Sequence, residues 1–291
     1  MTDALWHGPA VALVNLFDPD GGVDAAATAE HAARVVAAGI RAVLVNGSTG
    51  EASTLTDDER VTLVAAVREA CPGVPVLAGT SGEWHGQAAA RTRAAVRAGA
   101  DALLVAPPRL GGDLGDYYTA VAAAAGGQPV LAYHYPAVAG GPVPVGALAT
   151  LPVTGIKDSS GDAARLGHEL EAGCDVYVGA SALLGYAGWL GATGAIVAAA
   201  NLVPEDCLAA WERDVAAQRR VMRAEREAKA GPGGLKAAIA ARYGTSPAAA
   251  RAEPRVAGPV ARRSAGPPCG LRFAPRCRGR LPADRPGPRA G

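Results

Sequence analysis

Lysine is scarce in this chain. Lys and Arg together number 28 in 291 residues, yet only Lys157, Lys229 and Lys236 are lysines. Cysteine is also sparse. There are five, an odd count, with no Cys-x-x-Cys, so a disulfide framework and a structural zinc site both lack support. No apolar run reaches about 18 residues without a charge, which argues against a membrane span. Residues 1–12 lack a basic stretch followed by an apolar one, so no secretory signal is read there. The expected compartment is the cytoplasm. The five histidines (His7, His31, His85, His134 and His168) have no metal-ligand spacing, and no metal is expected. A phosphate-binding GxxxxGK[ST] loop is missing, and the Gly191-Ala192-Thr193-Gly194 cluster precedes a strand where a dinucleotide fingerprint would follow one.

Apolar residues make up 49% of the chain and charged residues 19%, enough for a large core and too little charge for a disordered polymer. Formal net charge is +1, unevenly spread. Residues 252–291 carry nine Arg against Glu253 and Asp284, a net +7, which leaves −6 on the rest. An acidic folded part argues against nucleic-acid binding there. The last 40 residues are mostly Pro, Gly, Ala and Arg, a composition that cannot bury enough apolar surface to offset its ordering entropy. Residues 251–291 are therefore expected to be a disordered tail. One hypothesis for the abrupt change of composition is a shifted reading frame, which an intact frame on resequencing would reject.

Eight short apolar runs begin near Val11, Ala42, Val74, Asp101, Pro129, Val153, Asp175 and Gly194. They are continuous and rich in Val, Leu and Ile, the pattern of parallel strands buried on both faces. Ala-rich stretches with helical spacing lie between them, at 25–38, 57–70, 86–98 and 163–172. Thr56 and Glu59 form the pattern of a capping box, and Gly39 and Gly99 sit where helices end in a left-handed residue. Eight alternations predict an α/β fold, a (β/α)₈ TIM barrel over residues 1–203. A doubly wound open sheet is the competitor, but its nucleotide loop is missing. Residues 204–230 read as one or two helices and 235–243 as another, giving a C-terminal helical segment over 204–250.

In such a barrel the strand C-termini and following loops form the active face. Strand two ends in Asn46-Gly47-Ser48-Thr49-Gly50-Glu51, strand five in Tyr133-His134-Tyr135-Pro136, and strand six in Lys157-Asp158-Ser159-Ser160-Gly161. Lys157 closes an apolar run, so its stem starts inside packing. Desolvation would lower its pKa and free a nucleophilic amine able to form a Schiff base with a ketone. The competing reading is a snorkelling lysine paired with Asp158, which strand alternation weakens by sending Asp158 to the opposite face. The Gly47–Gly50 loop could hold a carboxylate through backbone N–H groups and two hydroxyls, or be an ordinary turn. Glu51 is read as structural, tying the loop to its neighbours. Tyr133 could pass protons if Ser48 or Thr49 adjoins it, or merely plug the barrel. His134 and Tyr135 are expected to point away from Tyr133.

Together these segments resemble the dihydrodipicolinate synthase / N-acetylneuraminate lyase family of Schiff-base aldolases. The likeness spans residues ~8 to ~250, judged by the order of landmarks. It rests on Ala12-Leu13-Val14 with Phe17-Asp18, on Gly47-Ser48-Thr49-Gly50-Glu51, on Tyr133 with Pro136, on Gly155-Ile156-Lys157, and on the glycine-rich segment 191–196. The resemblance implies catalytic roles for Lys157, Tyr133 and Thr49. Lys157 would form the imine with pyruvate or another 2-oxo acid. Gly47, Ser48 and Thr49 would hold its carboxylate, Tyr133 would relay protons, and Gly179 and Ile196 would line the pocket through their backbones. It implies no cofactor, a small-molecule 2-oxo acid and an aldehyde as partners, and a homodimer or homotetramer. Nucleic acid and membrane are not expected as partners.

Two departures bear on the substrate. Dihydrodipicolinate synthases resemble one another in an arginine two residues after the proline, where this chain has Val138, and in a tyrosine after strand four, where it has Arg109. The expectation is a class I aldolase or lyase acting on a sugar-acid or hydroxy-oxo-acid type of substrate. The alternatives are 4-hydroxy-tetrahydrodipicolinate synthase and a non-catalytic 2-oxo-acid-binding member. Binding of an acidic partner by the Arg-rich tail is weaker, because Phe273 is its single aromatic.

Overall fold

The computed structural model describes residues 4–249. The tail at 251–291, expected to be disordered, lies outside the described residues. Eight parallel strands close on themselves: β1 Gly8–Ala12, β2 Val43–Val45, β3 Val76–Gly79, β4 Ala102–Val105, β5 Val130–His134, β6 Gly155–Asp158, β7 Asp175–Val178 and β8 Gly194–Val197. The last strand pairs with the first, from Gly8 opposite Gly194 to Val11 opposite Val197. Six helices are interleaved: α1 Ala25–Ala37, α2 Asp57–Ala70, α3 His85–Arg97, α4 Leu114–Ala125, α5 Ala163–Glu171 and α6 Leu184–Leu190. Between β5 and β6 a 3-10 turn, Val145–Ala147, stands in for a helix. Among the described residues three more follow the barrel: α7 Pro204–Trp211, α8 Val215–Ala230 and α9 Gly234–Tyr243. Among the described residues no helix is long and apolar enough to cross a membrane.

The fold is thus the expected (β/α)₈ barrel, and the local signals act as read. Thr56 Oγ1 accepts from Glu59 N, and Thr56 N donates to the Glu59 carboxylate at 2.7 Å, completing the capping box of α2. Such a cap stabilises a helix by about 1 kcal/mol. Gly39 and Gly99 take φ of +105° and +96° just past α1 and α3.

Strand alternation sorts the core into two shells. Inward-facing Ala10, Leu44, Leu77, Leu104, Leu131, Tyr177 and Ile196 fill the barrel, while Val11, Val43, Leu103, Ile156 and Val197 pack outward against the helices. Trp6 stacks on Tyr177 at 4.2 Å between centroids and plugs the floor. Buried Asn201 stitches the closure, donating to Ala12 O and accepting from Val14 N.

One boundary differs from expectation. The first strand starts at Gly8 instead of near Val11, because pairing with β8 sets its register. The apolar run continues past the strand for another reason. Val14 and Leu16 leave the barrel and bury against Ile239 of α9 in a separate small core. The 204–230 segment is two helices. Arg213 breaks it at φ +74°, and Asp214 caps α8 by accepting from Ala216 N and Ala217 N.

Candidate active site

Parallel register sets Tyr133 of β5 beside Lys157 of β6, and Lys157 beside Tyr177 of β7. All three face the barrel interior. Lys157 is 4% exposed. Burial alone pushes its pKa from 10.5 down to about 7. Its Nζ lies 4.6 Å from the centre of the Tyr133 ring, a cation–π distance when the amine is charged. The pairing with Asp158 does not form. Asp158 faces outward, accepting from Ser160 N at 2.8 Å and from Ser160 Oγ at 2.7 Å, with Arg165 Nε at 3.7 Å. Arg165 in turn lies 2.8 Å from Glu169, a fully buried carboxyl that burial raises to about 7.

Tyr133 is buried, and its hydroxyl bonds to Ser159 and Ser48. Burial raises the phenol pKa, and those two hydrogen bonds partly oppose the rise. Ser48 is therefore the hydroxyl that adjoins the phenol. Thr49 is half-buried and is not among those partners. Ser159 was missed by sequence reasoning. Its signal was available, since it stands two residues after Lys157 and so shares its face. Tyr135 corrects an expectation by the same rule. It packs against the interior cluster holding Tyr133, with ring centres 6.3 Å apart, because residues two apart on an extended chain point the same way. His134 does turn away, accepting from Val143 N at 3.0 Å.

Gly179 follows β7 against the lysine. A Cβ there would collide with Ser159 and lie 3.0 Å from Lys157 Cε. Ile196 is fully buried in the barrel interior.

The loop after β2 is held in an unusual backbone. Asn46 and Glu51 both have positive φ, 58° and 55°, and bracket the 3-10 turn Ser48–Gly50. Asn15 Nδ2 donates to Gly50 O at 2.5 Å, Arg60 donates to Ala52 O, and Lys236 of α9 pairs with Glu51. The reading of Glu51 as a structural tie therefore matches the geometry. Asn15, Arg60 and Lys236 are anchors that no local motif marks.

A cleft of about 320 Å³ opens above these residues. Ser48, Ser81, Tyr133 and Val138 lie on its wall, with Arg60, Arg91 and Arg109 against one acid among the described residues, Glu83. Lys157, Thr49, Gly179 and Ile196 stand back from that wall. Arg109 Nη2 donates to Val138 O at 2.8 Å, and Nη1 lies 3.4 Å from Pro136 O. Burial, helped by nearby Arg91, lowers the Arg60 pKa to about 10. The rim is thus positive on a fold that is acidic. A cationic rim and a hydroxyl-bearing loop thus border a cleft beside the Tyr133 phenol, with the buried Lys157 amine set behind that wall.

Comparison with known proteins places this geometry among relatives. The model of the dihydrodipicolinate synthetase family matches residues 6–219. An uncharacterized DapA-like lyase of Halobacterium salinarum is 35% identical over 257 residues, covering 81% of this chain and 84% of that protein. A 4-hydroxy-tetrahydrodipicolinate synthase of Exiguobacterium sibiricum is 33% identical over 221 residues, covering 72% and 75%. The crystal structure of a chloride-inhibited dihydrodipicolinate synthase from Acinetobacter baumannii, complexed with pyruvate, superposes with a TM-score of 0.70 at 26% identity, covering 80% of this chain and 87% of that one.

Proposed function

The chain belongs to the dihydrodipicolinate synthetase family and is a class I lyase, and from that premise we propose that Lys157 is the amine that forms an imine with pyruvate or a related 2-oxo acid. One observation carries this reading. Lys157 Nζ is enclosed beside Tyr133, without a carboxylate partner among the described residues, and burial brings its pKa to about 7. Near neutrality about half of such an amine is uncharged, against roughly one part in 3,000 for a free lysine. The pyruvate held by the Acinetobacter baumannii enzyme supports the choice of ketone.

The steps balance without an added cofactor. The neutral amine adds to the ketone carbon, the resulting carbinolamine takes up a proton that Tyr133 would deliver, and loss of water leaves a protonated imine. That imine draws electrons from the adjacent carbon, which sheds a proton to give an enamine. The enamine attacks an aldehyde carbon, or the reverse sequence breaks the same bond. Hydrolysis returns the lysine. Tyr133 would carry protons through Ser48 and Ser159, which bond its hydroxyl. Ser48 and Thr49, with the amides around Gly47, would hold the carboxylate, and Gly179 and Ile196 would shape the pocket from behind.

The test is borohydride reduction in the presence of pyruvate, followed by peptide mass spectrometry. The expected product is a gain of one pyruvic acid less one oxygen atom, on Lys157. An adduct on another residue overturns the assignment. No adduct at all favours a 2-oxo-acid-binding protein without catalysis.

For the second substrate we propose an aldehyde of the sugar-acid or hydroxy-oxo-acid type. Val138 supports it, a half-exposed apolar side chain on the cleft wall where the resemblance puts an arginine. A second reading is 4-hydroxy-tetrahydrodipicolinate synthase. It is favoured by relatives of that name and by Arg109, whose guanidinium lies against the Val138 carbonyl and keeps a positive charge at that rim. A coupled assay with aspartate semialdehyde, run beside a panel of hydroxylated aldehydes, separates the two. We further propose a homodimer or homotetramer, which light scattering would read directly.

A further inference from the structure

Lys236 is one of three lysines in an arginine-rich chain, and it is buried. It sits on α9, outside the barrel. Its Nζ pairs with the Glu51 carboxylate, lies 4.0 Å from the centre of the Phe17 ring, and donates to Ala248 O at 3.3 Å. A compact ammonium fits between a ring face and a carboxylate, where a planar guanidinium would need more room. Glu51 is the point of interest. It ends the turn that carries Ser48 and Thr49, and it takes a left-handed backbone that a residue with a Cβ rarely adopts. Such a conformation persists only where its surroundings over-determine it. The hydrogen bond from Asn15 holds the carbonyl one residue before Glu51, and Arg60 holds the carbonyl one residue after. The side chain itself is held from α9.

We propose that Lys236 is a positioning residue for 2-oxo-acid binding: through its ion pair with Glu51, helix α9 sets the kink on which Ser48 and Thr49 are presented to the carboxylate. This rests on the Schiff-base reading above and adds a residue far from the reacting atoms. It also gives α9 a role in substrate binding. Lys157 and Tyr133 hang from β6 and β5, on the far side of the barrel axis from this contact. Loss of the ion pair therefore acts on substrate capture and leaves the Lys157 amine, and with it imine formation at saturating substrate, largely in place.

The experiment measures borohydride trapping on Lys157 as a function of pyruvate concentration in the full-length protein. The variants are Lys236→Met, Glu51→Gln and the pair together. Each single variant is expected to raise the half-saturating pyruvate concentration about tenfold, with maximal trapping within about twofold of wild type. The double variant should match the single ones, because both remove one interaction. A general loss of fold would instead lower the maximum, so the split between the two parameters isolates positioning. Should Lys236→Met fail to fold, Glu51→Gln alone carries the test. Unchanged half-saturation in a folded variant overturns the proposal, and so does full additivity. Absence of trapping in the wild type would refute the Schiff-base reading itself, a separate outcome.

Discussion

Replacing Lys157 by Met should make the protein more stable while abolishing imine formation. The side chain is 4% exposed, and burial lowers its pKa from 10.5 to about 7. Each pKa unit corresponds to about 1.36 kcal/mol, so holding the charged form in the fold costs about 5 kcal/mol at low pH and about 4 kcal/mol at pH 7, as an upper bound. The folded-state value is the lower of the two. Between about pH 7 and about 10.5 the unfolded chain therefore holds a proton that the folded protein lacks. Wild-type stability should rise with pH across that window. Above it both states are neutral and the penalty vanishes; below it both are charged and the penalty is complete. Met preserves the length of the stem, so little cavity opens. Urea unfolding of both proteins at about pH 6, about pH 8 and about pH 10.5 reads the difference directly. The gap should favour Met and be widest at the lowest pH, then shrink steadily. In wild type, the rate of imine formation should climb through about pH 7 and level off, instead of climbing to 10.5. A less stable Met variant, or a gap independent of pH, would refute the claim that Lys157 is buried at an energetic cost for the sake of its amine.

Three more perturbations bear on the site. Tyr133→Phe removes the hydroxyl that Ser48 and Ser159 bond; trapping with borohydride should survive while turnover falls by about 10²- to 10⁴-fold, and equal loss of both would count against a proton relay. Gly179→Ala places a methyl against Ser159 and Lys157 Cε and should cost about 1–3 kcal/mol together with most imine formation; a fully active, equally stable variant would mean that the lysine stem is not confined there. Glu169 has a pKa raised from 4.5 to about 7, chiefly by burial, so its contribution to stability is complete below 4.5 and is lost as pH rises through about 7. Wild type should thus lose stability relative to Glu169→Gln over that range in paired denaturation curves, and a constant difference would show that the carboxyl is already ionised in the fold.

Much of this architecture was legible in one dimension. Continuous Val, Leu and Ile runs are what a strand buried on both faces requires, and every run from the second to the eighth lies within two residues of an observed strand start. Thr56 and Glu59 marked the start of α2 because a capping box is a contact across three residues. Lys157 stood out because a rare charged residue closed an apolar run. Where the reading failed, the cause was non-local or a rule misapplied. The first strand begins at Gly8 because β8, nearly 190 residues away, fixes its register. Tyr135 shares a face with Tyr133, against expectation, because the period of a strand puts residues two apart on the same side.

The order of residues by itself determined the strand and helix alternation and the polar ends of the second, fifth and sixth strands, because these follow from local periodicity. It also singled out the amine, the phenol and the hydroxyl loop as a set. Only the closed barrel decided their distances and their chemistry. Desolvation of Lys157 needs the walls supplied by β5 and β7, the Tyr133 hydroxyl needs Ser48 from a loop 85 positions earlier, and Glu51 meets Lys236 across 185 positions. Electrostatic perturbation depends on what surrounds a charge in space, and sequence neighbours make up little of those surroundings.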